Sequence, residues 1–271
     1  MGRPVVFFDV DGTLGWDDPI AREGRPEEER SMSPRPSDVV CDAIRGLVDN
    51  GAAAFVCTGR SPATLHPVIL ELPFDGVVGL GGAYVRVGQA VLRDRPFPGA
   101  VLEALEGLLL RVGSGAQIES ATGVVELRGG AQGLHQGPDV PQTMREALAR
   151  LEDHRAHKLI VPTIVARGLM SNPGASEILS TSKLEMGNSE VTLAQNTKQD
   201  GVRAVVVYLG QDVGKTYGFG DSQNDLPLFD EVDVAVAMGN ASDEVKARAN
   251  LVTGGVGEDG VATGLKALGL I

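Results

Sequence analysis

The chain opens on an apolar run, Val5-Val6-Phe7-Phe8, that breaks at once into Asp9-Val10-Asp11-Gly12. A short continuous apolar stretch of this kind predicts a fully buried strand of a parallel sheet, and open parallel sheets bind ligands beyond the carboxyl ends of their strands. Side chains alternate along a strand, so Asp9 and Asp11 point the same way while Val10 packs, and Gly12 lets the chain turn sharply. Two carboxylates this close want a cation. Oxygen donors without neighbouring His or Cys suit a hard ion such as magnesium.

The patterning continues downstream. Ser37 predicts a helix cap ahead of the apolar face Val40, Ala43, Ile44, Leu47 and Val48, with Asn50-Gly51 as the stop. Residues 52–57 predict a second strand, then Thr58-Gly59-Arg60, with Ser61-Pro62 starting a further helix. There the Thr58 hydroxyl and the Gly59 N–H can donate to a phosphoryl oxygen, and the helix start adds a favourable dipole. Residues 75–80 predict a third strand, and Gly81-Gly82 a flexible backbone suited to a hinge.

Helical spacing marks 101–112 and 143–151, with strands at 123–127 and 159–166. For 201–210 the β-branched run argues for a strand by propensity, whereas the terminal Gly210 argues for a helix. Residues 216–220 predict a strand that delivers Asp221. A helix from 226, a strand at 234–238, a helix at 243–249 and a short strand at 251–252 complete the alternation. The class is α/β: a doubly wound parallel sheet with a second α/β segment inserted.

Four motifs carry a family resemblance. Asp9-Val10-Asp11-Gly12-Thr13-Leu14 resembles the DxDGT signature of the haloacid dehalogenase (HAD) superfamily of phosphotransferring enzymes. Thr58-Gly59-Arg60 at a strand end is similar to the second motif, and Lys198 in Thr197-Lys198-Gln199-Asp200-Gly201 to the third. Gly220-Asp221-Ser222-Gln223-Asn224-Asp225 resembles the GDxxND of the Cof-type branch. The order and spacing of all four agree with the family. Val236–Ala241 and Glu258–Ala262 are similar to the same branch. Gly81 departs from it, standing where an asparagine is usual.

The resemblance implies a Rossmann-like core formed by residues 1–83 and 194–271, with 84–193 as an inserted cap that sets substrate choice. It favours the helix for 201–210. It also implies roles. Asp9 would attack phosphorus to give an aspartyl-phosphate, and Asp11 would protonate the leaving oxygen and then activate water. Mg²⁺ would be held by Asp9, the backbone carbonyl of Asp11 and Asp221. Lys198, Thr58 and Gly59 would bind phosphoryl oxygens, and Lys198 would also keep Asp9 ionised. Asn224 would join the phosphate site or, with Asp225, orient Asp221 or Lys198. The implied activity is a magnesium-dependent phosphatase for a small phosphorylated metabolite: a sugar phosphate, a phosphoglycerate derivative or a cofactor phosphate. The alternatives are a phosphomutase or phosphotransferase of the same fold, and a non-catalytic regulatory binding protein.

Composition changes this picture in few places. At 271 residues with 42% hydrophobic content, two folded domains are expected. The chain shows no signal-peptide pattern and no run of membrane-spanning length, which points to the cytoplasm. The net charge of −12 argues against nucleic acid and acidic membrane surfaces as partners. Between 84 and 193 the balance is nearly neutral, so an anionic substrate meets less repulsion there, near basic residues such as Arg86, Arg128, Arg155 and Arg167.

The remaining residue types have plainer readings. Cys41 and Cys57 read as small buried hydrophobes. His154 and His157, beside Glu152 and Asp153, read as a solvated helix end and not as a metal pair, and His66 and His135 are isolated. The polar stretch from Gly15 to Arg35 reads as a surface loop, with Trp16 either core or a contact near the site.

Overall fold

A computed structural model of the chain describes residues 2–17, 32–128 and 139–271. Most of the expected loop at 15–35, and His135, lie outside the described residues. The chain divides into two compact units, one of residues 1–60, 64–93 and 197–271, the other of residues 61–63 and 94–196.

The first unit begins with β1 (Arg3–Phe8), then α1 (Asp38–Asp49), β2 (Ala53–Cys57), α2 (Pro67–Glu71), β3 (Gly76–Gly79), β4 (Tyr84–Val87) and β5 (Ala90–Asp94). The second unit supplies α3 (Gly99–Val112), β6 (Ala116–Glu119), β7 (Val124–Leu127), α4 (Met144–Ala149), β8 (Lys158–Pro162), α5 (Thr163–Met170), β9 (Leu179–Lys183) and β10 (Asn188–Leu193). The chain then returns with α6 (Lys198–Leu209), β11 (Val213–Gly220), α7 (Leu226–Phe229), β12 (Val234–Ala237), α8 (Asp243–Lys246), β13 (Leu251–Val252) and α9 (Gly260–Ala267).

The first unit holds an eight-stranded sheet in the order β13-β12-β11-β1-β2-β3-β4-β5. Every pairing from β13 to β3 is parallel, and β4 runs antiparallel to β3. In β1, Val6 and Phe8 enter a cluster with Val40, Ile44 and Leu47 of α1 and Leu265 of α9. Val5 and Phe7 enter the opposite cluster, with Val202 and Val205 of α6 and Leu228 of α7. Both faces of the sheet are therefore covered by helices, which is why β1 reads as an unbroken apolar run. Phe8 stacks on Phe219 at 5.1 Å and Phe7 on Phe55 at 5.3 Å, tying β1 to both neighbours.

The second unit is a five-stranded sheet in the order β7-β6-β8-β10-β9, every pair antiparallel. Its core joins Leu105 and Leu109 of α3 and Val165 and Leu169 of α5 to Ile118, Leu159, Val161 and Val191 of the strands.

Several expectations need correction. The strand expected through 166 ends at Pro162, which N-caps α5; Val165, Ala166 and Leu169 then bury one side of a helix. Ser61-Pro62 opens only a three-residue 3₁₀ turn, and the next α-helix starts at Pro67, where His66 Nδ1 accepts from the Val68 amide. The insert does not begin at 84, because β4 and β5 extend the larger sheet.

Gly81-Gly82 is not where the two units separate either. A Cβ on Gly82 would stand 2.0 Å from the Thr197 carbonyl oxygen, and one on Gly201 would stand 2.3 Å from Val78 Cγ1. These glycines serve close packing of the α6 start against β3. The residues at 201–210 are helical, capped by Thr197 and stopped by Gly210 at φ 60. Both cysteines are buried and free. His154 is exposed with Nδ1 against the Leu148 carbonyl, whereas His157 is buried with Nε2 2.6 Å from Asp94, so the two share no ligand position. Trp16 is 58% exposed and is not core. Among the described residues no helix is long and apolar enough to cross a membrane.

Candidate active site

Sheet register assembles the site. Phe8 of β1 pairs with Val56 of β2 on one side and Phe219 of β11 on the other, so Asp9, Thr58 and Asp221 follow three aligned strand ends. The Asp9 amide still donates to the Phe219 carbonyl at 3.0 Å, which holds the carboxylate at the sheet's edge. The chain then turns tightly, with Gly12 N donating to Gly15 O and Gly15 N to Val10 O.

Lys198 is the first residue of α6, placed there by Thr197, whose hydroxyl accepts from the Asp200 amide. It is buried, and its Nζ donates to Asp9 Oδ1 at 2.6 Å and to Asp225 Oδ1 at 2.5 Å. Asp225 is 0% exposed and is the fixed point of the cluster. Its Oδ2 accepts from the amides of Asp221 and Ser222, each at 3.0 Å, in a 3₁₀ turn closed by a reciprocal cap between Ser222 and Asp225.

Charge is unbalanced here. Single carboxylate oxygens of Asp9, Asp221 and Asp225 lie within 4.8 Å of one another, against one ammonium. Burial works against the Lys198 charge, yet Asp225 and Asp9 raise its pKa above the ordinary lysine value. Burial, then the Asp225 charge, push the Asp9 carboxyl up, with Lys198 opposing. Burial and Asp225 likewise push Asp221 up to about 6. Asp221 Oδ1 is buried with no hydrogen-bond partner. An orphaned carboxylate oxygen amid surplus negative charge fits a divalent cation. Of the three, Asp9 and Asp221 are the side chains that could hold one, since both oxygens of Asp225 already accept hydrogen bonds. The side chain of Asp11 stands outside this group.

The other expected residues are placed as follows. Thr58 is buried; its amide donates to Val78 O and its hydroxyl accepts from the Arg60 amide, leaving the O–H to donate. Gly59 has open space where a side chain would be. The turn after β2 offers no α-helix dipole, because only the 3₁₀ turn at Pro62–Thr64 follows it. Asn224 is exposed and accepts from Ser222 Oγ at 2.8 Å; its side chain bonds neither Lys198 nor Asp221.

Two residues received no role from sequence. Asn240 donates to the Gly12 carbonyl at 2.9 Å and to Asp221 Oδ2 at 3.2 Å, and accepts from the Val256 amide. Arg60 forks onto Asp11, Nε to Oδ2 at 2.6 Å and Nη2 to Oδ1 at 2.7 Å. Both sit in stretches that resemble the family, and only their long-range partners reveal what they hold.

The sequence profile of the haloacid dehalogenase-like hydrolases matches residues 6–129 and 167–265. YkrA of Bacillus subtilis (strain 168) is 27% identical over 292 residues, covering 100% of both chains. The pyridoxal phosphate phosphatase YbhA of Escherichia coli (strain K12) is 25% identical over 289 residues, covering 97% of each. Among solved structures, the HAD subclass IIB sugar phosphatase BT4131 superposes with a TM-score of 0.74 at 22% identity, covering 99% of this chain and 100% of that one.

Proposed function

The chain belongs to the haloacid dehalogenase-like hydrolases, and from that premise we propose that it is a magnesium-dependent phosphatase of the Cof type, acting on a small phosphorylated metabolite through an aspartyl-phosphate. The observation that carries this reading is the Lys198-Asp9-Asp225 chain beside the orphaned Asp221 oxygen. It describes a carboxylate held still at a strand end, next to groups suited to a cation. E. coli YbhA and BT4131, named as phosphatases of a cofactor phosphate and of sugars, support small phosphorylated substrates.

In this reading Asp9 attacks phosphorus; an oxygen–phosphorus bond forms to Asp9 as the bond to the leaving oxygen breaks, and Asp11 delivers the proton that oxygen needs. Asp11 then takes a proton from water as water attacks the aspartyl-phosphate and returns Asp9. Lys198, Thr58 and the Gly59 amide donate to phosphoryl oxygens, and Lys198 favours the ionised form of Asp9. Mg²⁺, held by Asp9, Asp221 and the Asp11 backbone carbonyl, would shield negative charge so that an anionic substrate can meet an anionic nucleophile. The unit comprising 94–196 is proposed as the cap that selects the leaving group.

The test is magnesium-dependent release of inorganic phosphate from a panel of sugar phosphates, phosphoglycerate derivatives and cofactor phosphates, with Asp9→Asn as control. Release by wild type alone is expected. Wild-type rates in Asp9→Asn would remove the nucleophile, and release only in the presence of an acceptor alcohol would replace the hydrolase by a phosphotransferase.

A further inference from the structure

Of the three carboxylates around the proposed cation site, Asp9 and Asp225 are held by buried or backbone partners and Asp221 accepts from the Asn240 side chain. Asp11 is different: its side chain is 48% exposed, and the partner that orients it is the guanidinium of Arg60, itself 22% exposed. Both contacts are short, and together they use both nitrogens of one edge of the guanidinium and both oxygens of the carboxylate. Such a fork fixes the plane of the carboxylate as well as its distance, which a lysine ammonium cannot do. Each carboxylate oxygen keeps a second lone-pair position for a proton.

The backbone of Arg60 is itself tightly held. Its amide donates to Thr58 Oγ1 at 3.1 Å, and its carbonyl accepts from the Leu80 amide at 2.9 Å. Leu80 is fully buried and sits at φ 53, a left-handed conformation that L-residues rarely adopt. A strained residue persists only where its surroundings over-determine it. The turn that presents Thr58 and Gly59 thus also fixes the base of the Arg60 side chain.

We propose that Arg60 is the positioning residue of Asp11: its forked guanidinium sets the orientation from which Asp11 passes a proton to the leaving oxygen. The proposal rests on the phosphatase reading above. Asp11 gives its carboxyl proton to the leaving oxygen as the phosphorus–oxygen bond breaks, and the carboxylate so formed stays paired with the guanidinium until water returns a proton. An ion pair this exposed contributes little to folding stability, so its effect belongs in the rate.

The experiment compares kcat/KM for an alkyl phosphomonoester, whose leaving oxygen must be protonated, with that for p-nitrophenyl phosphate, whose leaving group departs as the anion. Arg60→Lys should lose on the order of 10² on the alkyl ester and about ten-fold less than that on the aryl ester. The Arg60→Lys penalty on the alkyl ester should vanish in an Asp11→Asn background. Equal losses on both esters would overturn the proposal. So would a loss confined to KM with a matching rise in the inhibition constant for inorganic phosphate, which would make Arg60 a phosphate ligand. A wild-type protein that hydrolyses neither ester would overturn the phosphatase reading itself.

Discussion

Gly12 and Asp221 are packed so closely that a Cβ on Gly12 would stand 2.3 Å from Asp221 Oδ2. Gly12 also holds φ +80, which an L side chain rarely adopts. Gly12→Ala therefore meets strain and collision together, and its escape is to displace the Asp221 carboxylate. A loss of about 1–3 kcal/mol in chemical denaturation is expected, with weaker Mg²⁺ binding by calorimetry. Unchanged Mg²⁺ affinity would show that Asp221 is not a ligand.

Asp225 accepts from Lys198, from two amides and from the Ser222 hydroxyl while wholly buried. Asp225→Ala strips a buried ammonium of one partner and leaves the amides of Asp221 and Ser222 without an acceptor. Breaking a buried pair in this way costs about 3–5 kcal/mol. Urea denaturation of the variant should show a loss of that size, and a loss below about 1 kcal/mol would mean that water or Asp9 takes over the role.

Asn240 bridges the Gly12 carbonyl, the Asp221 carboxylate and the Val256 amide. It orients a proposed metal ligand without being one. Removing such a partner typically weakens metal binding about 10–100-fold, so Asn240→Ala should raise the Mg²⁺ dissociation constant in that range. Its melting temperature should fall only modestly, because the side chain is exposed.

The raised carboxyl pKa values give the metal-free protein a definite pH dependence. Asp221 moves from an ordinary 3.8 to about 6, and Asp9 moves upward as well. The folded state then binds protons that the unfolded chain has released. The stability from this source is full below the ordinary carboxylate value and is lost as pH rises through about 6 for Asp221 and about 8 for Asp9. Mg²⁺ competes with those protons and should bind more tightly as pH rises. Melting curves at pH 5 and pH 7.5 should show the larger Mg²⁺-induced increase at pH 7.5, and the opposite order would refute the assignment.

The elements that position the site were legible where a local rule and a burial rule agree. The Val5–Phe8 run, the Ser37 cap and the Gly210 stop each name their element from neighbouring residues alone. The boundary at Pro162 is not legible, because the apolar residues on either side of it suit a strand before it and a helix after it. Gly81-Gly82 looks pliant from its neighbours, since nothing nearby reveals that the Thr197 carbonyl rests on Gly82. The roles of Arg60 and Asn240 are hidden for the same reason: Asp11 lies 49 positions from Arg60, and Gly12 lies 228 from Asn240. Only the strand order brings those partners near.

The Lys198–Asp9 bond spans 189 positions of the chain, and β1 lies against β11, which ends at Gly220. During synthesis the first strand and its carboxylate therefore leave the ribosome long before the ammonium that neutralises them exists. Pairing across such separations slows folding, and the exposed apolar strand invites association while it waits. A nascent chain that stops short of residue 198 thus carries Asp9 but none of Lys198, Asp221 and Asp225, and the site comes into being only once residue 225 has been made.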